Sequence, residues 1–121
     1  TAAKHCLGNL VAIVDRNGLK AMDETHCGKL LDPLAARWSA FGWAVTEIDG
    51  HDLEAICAAL DWSDGQQDRP SVIIANTIKG RGVSFLEGRP QFHNAQLDPV
   101  QFEQSVQELR GELDRVGGPV A

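Results

Sequence analysis

Asp15, Arg16, Asn17 and Gly18 close an apolar run, Leu10 to Val14, with four polar or turn-forming residues. In an open α/β sheet ligands gather beyond the carboxyl ends of the strands, so a polar tetrad there is a candidate site. Two readings stand side by side: an Asn-Gly turn that reverses the chain, or one jaw of a cofactor site. The run Lys79-Gly80-Arg81-Gly82 is a second candidate. Its glycines either let backbone approach an anion closely or serve as a plain turn. Its basic side chains either meet a phosphate or are solvated. His93 follows, and an imidazole in such a place hydrogen-bonds a phosphate oxygen or relays a proton near neutral pH; a surface loop histidine is the plain alternative. His51-Asp52 has the composition of a catalytic dyad. Asp49, Gly50 and Asp52 read better as a turn and a helix cap, with His51 structural. His5-Cys6 and His26-Cys27 raise the question of zinc. Adjacent residues on an extended chain point to opposite faces, and the spacing is not that of a zinc finger.

These residues need elements to position them. Leu10 to Val14, bounded by turn residues, reads as a strand buried on both faces. Before it, Ala2 to Leu7 reads as a helix end with Gly8 as its C-cap. A helix opening the chain in this way suggests that something upstream is removed or supplied by another chain. Residues 16 to 31 are polar and irregular. Asp32 as N-cap and Pro33 at the first helical position start a helix to Phe41, with Leu34, Ala35, Trp38 and Phe41 at helical spacing and Gly42 ending it. Residues 43 to 49, WAVTEID, form the second strand. After Gly50, residues 51 to 62 form a helix with Leu53, Ile56, Cys57 and Leu60 on one face. Residues 63 to 70 are a loop, and 71 to 78, SVIIANTI, a third buried strand.

The glycine-rich stretch that follows is a long loop, uncommon in a compact domain unless it has a task. Asp98 then caps a last helix with Pro99 at its first position and Phe102, Val106, Leu109, Leu113 and Val116 in one stripe. The terminal GGPVA is a frayed tail. Trp38, Trp43 and Phe85 read as packing residues. Strands alternating with helices imply an α/β fold with parallel strands and right-handed crossovers. Three parallel strands leave long apolar edges, which natural proteins avoid. The chain therefore reads as part of a doubly wound parallel sheet completed by another chain or segment.

Composition narrows the partners. At 121 residues the chain is at most one domain with a moderate core. Its apolar share of 43% and charged share of 23% are those of an ordinary globular protein. The net charge of −6 argues against nucleic acid as the main partner. No apolar run approaches the roughly 18 residues of a membrane span, and the amino terminus lacks a signal-peptide core. Three cysteines, Cys6, Cys27 and Cys57, without a CxxC spacing fit reduced thiols in a cytoplasmic protein.

In order and with sensible spacing from Lys4 to Val116, the segments LVAIVDRNGL, PLAARWSAFGWAVTEIDGHDLEAICAAL, RPSVIIANTIKGRGVSFLEG and FH resemble the transketolase family. The likeness is closest to the diphosphate-binding, amino-terminal domain of short or split transketolases, and residues 1–121 correspond to its carboxyl-terminal half. The pair W-x-AFGW-x-V-x-E-x-DGHD and TIKGRGVSF is specific; the G-R-G or D-R-N triplet alone is not.

The resemblance implies thiamine diphosphate held by Mg²⁺ or Ca²⁺. It implies transfer of a two-carbon ketol unit from a ketose (phosphate) to an aldehyde acceptor, by chemistry the cofactor carries. Carried onto this chain, the metal ligands are the Asn17 side-chain oxygen and the Leu19 backbone carbonyl, oxygen donors of the kind hard cations prefer. His93 resembles a family histidine that faces the diphosphate and substrate hydroxyls, which implies a catalytic role for it, although Asn94 stands where the family often has glycine or histidine. Gly80 joins Asn17, Leu19 and His93 as a cofactor-binding position.

The family's Gly-Asp-Gly motif, which supplies an Asp ligand, occurs nowhere in the 121 residues. The glutamate that activates the aminopyrimidine belongs to a separate pyrimidine-binding domain or polypeptide, which is absent too. The resemblance thus implies a hetero-oligomer with a chain or segment carrying Gly-Asp-Gly and a pyrimidine-binding subunit. Two alternatives stay open: a non-catalytic assembly subunit, and a thiamine enzyme with a non-sugar donor.

Overall fold

Five consecutive apolar or small residues, Ser71 to Ala75, make a stretch suited to burial on both faces. In the computed structural model they form most of β5 (Ser71–Asn76), the centre of a three-stranded sheet in the order β1 (Val11–Arg16), β5, β4 (Ala44–Asp49). Val72 and Ile74 are fully buried there. The structure describes residues 1–20, 23–24, 32–94 and 96–117. β1 (Val11–Arg16) and β4 (Ala44–Asp49) both run parallel to β5. The residues form two compact units, Thr1–Gly18 with Thr25–Thr77, and Leu19–Glu24 with Ile78–Ala121.

The first unit holds the sheet with α1 (Leu34–Ala40) and α2 (Leu53–Asp64). The α/β class and the parallel strands agree with the sequence; several particulars differ. β1 reaches Asp15 and Arg16 and is an edge strand, with Ile13 64% exposed rather than buried on both faces. A five-residue apolar run does not reveal which strand will be central, because that depends on pairing with distant segments. β5 ends at Asn76, and β4 starts at Ala44. The opening helix reduces to one 3-10 turn, Ala3–His5, stopped by Cys6 in the left-handed conformation rather than by Gly8.

Helix α1 has Pro33, in extended backbone, as its N-cap. Asp32 does not cap it; its carboxylate pairs with Arg16 instead. After Phe41 the chain turns back onto the helix, Gly42 N–H donating to the Ser39 carbonyl at 2.9 Å. Trp38 and Trp43 then meet edge to face at 4.8 Å between centroids, an arrangement that aromatic quadrupoles favour.

Asp52 caps α2, accepting from the Glu54 and Ala55 N–H groups at 2.9 and 3.2 Å. The buried face of α2 is made by small residues, Ala59 and Ser63, with Ile56 half-buried. Leu53, Cys57 and Leu60 are exposed, contrary to the expected stripe. Ser63 is accommodated because its hydroxyl donates to the Leu60 carbonyl at 2.7 Å.

The second unit contains a two-stranded antiparallel ribbon, β2 (Leu19–Lys20) and β3 (Asp23–Glu24), where the sequence suggested irregular chain. It also contains the glycine-rich loop and α3 (Pro99–Val116). Asp98 caps α3 as expected, in a reciprocal arrangement: it accepts from Val100 and Gln101 N–H, and Gln101 accepts from Asp98 N–H. Phe102, Leu109 and Leu113 of the expected stripe are exposed, while Ser105 is buried with its hydroxyl on the Gln101 carbonyl. The segment from 118 to 121, and with it most of the expected frayed tail, lies outside the described residues, as do His26 and Cys27.

Candidate functional site

The register places Arg16, Asn76 and Asp49 abreast at the carboxyl ends of β1, β5 and β4. Each brings a polar side chain to the edge where an open α/β sheet receives ligands. Arg16 donates to Asn76 Oδ1 at 3.3 Å, pairs with Asp32, and lies 4.0 Å from Glu47. Asn76 Nδ2 donates to the Ile48 carbonyl at 3.2 Å, tying β5 to β4. Asp49 Oδ1 accepts from His51 N–H at 2.9 Å, and Asp52 is occupied with the α2 cap. The turn-and-cap reading of DGHD therefore describes the geometry.

Asn17 leaves β1 one residue beyond its last paired position and is half-buried. Its Nδ2 donates to Asp15 Oδ2 at 3.4 Å. The other oxygen of Asp15 accepts a hydrogen bond from the Thr77 hydroxyl, just past the end of β5. Gly18 takes φ +72, so the chain turns immediately after Asn17. Sequence reasoning placed Asp15 in the candidate tetrad without a role of its own, and assigned none to Asn76 or Thr77. The i, i+2 spacing of Asp15 and Asn17 on extended chain was the only signal available for that pair. Thr77 carried none.

Leu19, Gly80 and His93 belong to the second unit. Leu19 lies in β2, opposite Glu24. β3 packs against the 3-10 turn Pro90–Phe92, and His93 closes that turn with its N–H on the Pro90 carbonyl at 3.0 Å. The ribbon bearing Leu19 and the turn bearing His93 are thus held together within this unit.

The long loop is built of successive tight turns. Val83 N–H donates to the Gly80 carbonyl at 3.2 Å, Leu86 N–H to Val83 at 2.9 Å, and Gly88 N–H to Lys79 at 2.9 Å. Val83 is buried beneath it, and Phe85 meets Phe92 edge to face at 5.8 Å. Gly80 adopts φ +74, and a Cβ there would stand 2.8 Å from Leu86 Cβ. Its lack of a side chain is therefore required within the loop itself. A small cavity of about 160 Å³ opens between Lys79, Gly80, Leu86, Phe92 and Leu97.

α3 anchors the loop through one carboxylate. Ser84 donates to Glu108 through both its N–H, at 2.6 Å, and its hydroxyl, at 2.8 Å; Gln104 adds a third bond at 2.7 Å. The Ser84 N–H first, then the Gln104 amide and the Ser84 hydroxyl, hold the Glu108 carboxyl below its ordinary range.

An apolar cavity of about 380 Å³ lies among Leu34, Arg37, Trp38, Phe41, Trp43 and Thr1. Trp43 immediately precedes β4, so this cavity sits at the amino end of that strand, away from the polar edge. Among the described residues no three His, Cys, Asp or Glu side chains cluster closely enough to hold a metal ion. Nor is any helix among them long and apolar enough to cross a membrane.

Residues 1–114 match the family model for the transketolase, thiamine diphosphate binding domain. The chain is 40% identical over 106 residues to the 6-deoxy-6-sulfo-D-fructose transketolase subunit SqwG of Clostridium sp. (strain MSTE9), covering 88% of this chain and 38% of that subunit. It is 39% identical over 112 residues to an apulose-4-phosphate transketolase subunit of Actinobacillus succinogenes, covering 93% and 40%. Among solved structures, the transketolase of Campylobacter jejuni superposes with a TM-score of 0.79 at 30% identity, over 90% of this chain and 17% of that one. The Pichia stipitis transketolase in complex with sedoheptulose-7-phosphate gives 0.80 at 28% identity, over 90% and 16%. The chain thus spans about two-fifths of the length of the two named subunits.

Proposed function

The chain belongs to the transketolase family, within its thiamine diphosphate binding domain, and from that premise we propose that it supplies part of the cation-diphosphate site of a ketol-transferring enzyme. The observation that carries the reading is the placement of Asn17 just past the carboxyl end of β1. There a strand paired to the buried centre of the sheet can hold an amide oxygen at the ligand-binding edge.

The donor set fits the group. An Asn17 amide oxygen and a Leu19 carbonyl are hard oxygen donors and would suit Mg²⁺ or Ca²⁺. Two such donors are a third of an octahedral coordination sphere. The Asp of a Gly-Asp-Gly segment, lying outside these 121 residues, completes it in this reading, and a pyrimidine-binding subunit supplies the remaining half of the cofactor pocket. The relatives named as subunits support such a division between polypeptides.

When bound, the thiazolium of thiamine diphosphate supplies the nucleophilic carbon for cleavage next to a ketose carbonyl. The residues of this chain bind, orient and relay. Asn17 and Leu19 hold the cation. The loop carrying Gly80 would offer backbone N–H groups to the diphosphate. His93 would hydrogen-bond a phosphate oxygen or a substrate hydroxyl and relay a proton there. The substrates in this reading are a ketose or ketose phosphate and an aldehyde acceptor, and Cys6 and Cys57, both free thiols, suit a cytoplasmic setting.

The test is Asn17→Ala in the enzyme assembled with its partner polypeptides. We expect thiamine diphosphate binding in the presence of Mg²⁺, followed by calorimetry, to weaken about 10-fold or more, on the scale of losing a metal ligand or its support. Unchanged affinity would favour a purely structural role over this reading.

A further inference from the structure

We propose that Asp15 is a positioning residue that fixes which end of the Asn17 amide meets the cation; the inference rests on the metal role proposed for Asn17. A carboxylate only accepts hydrogen bonds. Asp15 receives two donors, one on each oxygen: the Thr77 hydroxyl on Oδ1 and Asn17 Nδ2 on Oδ2. Facing that carboxylate, the Asn17 side chain can offer only its NH₂ end, so Oδ1 is necessarily the end turned away from Asp15.

An amide has two nearly isosteric orientations, and only one presents oxygen to a cation. The other would aim N–H dipoles at it. Asp15 removes that second orientation. Thr77, two residues past the buried Ala75 of the central strand, in turn holds the carboxylate by its other oxygen. The arrangement thus runs from β5 through Thr77 and Asp15 to Asn17, all inside the first unit.

The change Asp15→Asn isolates this role. An asparagine at position 15 keeps the shape but has one acceptor oxygen for two donors. Its own NH₂ can donate to Asn17 Oδ1 and so permits the flipped amide. Contacts that orient a metal ligand are worth about 10–100-fold in metal affinity. In the assembled enzyme, with thiamine diphosphate present and binding followed by calorimetry, Asp15→Asn should raise the Mg²⁺ concentration at half-saturation about 10-fold. Binding capacity should return in full at high Mg²⁺. Thr77→Val should raise it by a smaller factor, and Thr77→Ser should leave it unchanged.

A change confined to folding or to general charge is separated by the Asn17→Asp background. A carboxylate at position 17 has two equivalent oxygens and needs no orientation, so there Asp15→Asn should no longer weaken Mg²⁺ binding. Equal losses in both backgrounds would overturn the proposal. So would a half-saturation within twofold of the parent in Asp15→Asn while Asn17→Ala shows its full loss; that result leaves the metal role of Asn17 standing. If Asn17→Ala itself has no effect, the metal reading fails and this inference with it. If Asp15→Asn does not fold, Thr77→Val is decisive, and an unchanged half-saturation there overturns the proposal.

Discussion

Gly50 shows how a single position at the ligand edge is constrained by packing. A Cβ there would lie 2.5 Å from Thr77 Cγ2, 3.0 Å from Ala75 Cβ and 3.2 Å from the Asn76 carbonyl. Ala75 and Asn76 belong to β5 and Thr77 follows it directly, its short branched side chain held by the hydroxyl bond to Asp15, so none of these atoms yields like the tip of a long flexible side chain. Gly50→Ala should therefore destabilise by about 1–3 kcal/mol, the usual range for overpacking, read as a lower urea midpoint. It should also disturb Thr77, and through it Asp15, before any direct effect on a ligand. Asn17 and Asp15 were both legible as polar residues at a strand end. What each does differs by one hydrogen bond, and Thr77, the residue that anchors the pair, is separated from Asp15 by 62 positions.

At the scale of elements, strand order decides which substitutions matter. Ile74, fully buried in β5, and Ile13, exposed on β1, are the same residue type in parallel strands one position out of register. Ile74→Ala should cost about 2–5 kcal/mol through lost burial and a cavity. Ile13→Ala should stay within about 1 kcal/mol, since little area leaves the protein interior; paired chemical denaturation curves check both. The glycine-rich loop depends on α3 in a pH-sensitive way. Because the folded Glu108 carboxyl lies below its ordinary range, its contribution is present above the unfolded-state value and lost as pH falls through the folded one. Hydrogen exchange at the Ser84 amide should accordingly show more frequent opening on acidification, beyond the intrinsic pH dependence of exchange, and Glu108→Gln should abolish that excess. The loop's length was legible in sequence as a sign of function. Its fastening was not, because Ser84 and Glu108 fall in different elements 24 residues apart.

Considered as a whole, the chain leaves large apolar side chains in water on each unit. Phe41, Leu53 and Ile13 are exposed in the first, and Val100, Phe102 and Leu113 in the second. Exposed side chains of this kind are what an interaction face would supply, and the relatives are more than twice the chain's length. The isolated 121-residue chain should bind an apolar-surface dye such as ANS. Completion of the domain by the chain or segment that carries the Gly-Asp-Gly motif in the proposed reading should suppress that signal, and an undiminished signal in the assembled enzyme would count against coverage of these faces. The helices expected to bury their apolar stripes point the same way: α2 and α3 pack through small residues, Ala59, Ser63 and Ser105, and leave the larger ones outward.

By itself the sequence determined the α/β class, the approximate course of the three parallel strands, the caps at Asp52 and Asp98, the family, and the candidacy of Asn17, Leu19, Gly80 and His93. Periodicity, capping chemistry and motif spacing are local properties, and a linear reading reaches them. Only the tertiary structure decided that β5 is central and β1 an edge, that Asp32 pairs with Arg16 instead of capping α1, and that Asp15 joins Asn17 to Thr77. Each of these is a choice among partners remote in sequence. Such choices follow from which strands pair and in what register, which no local pattern records.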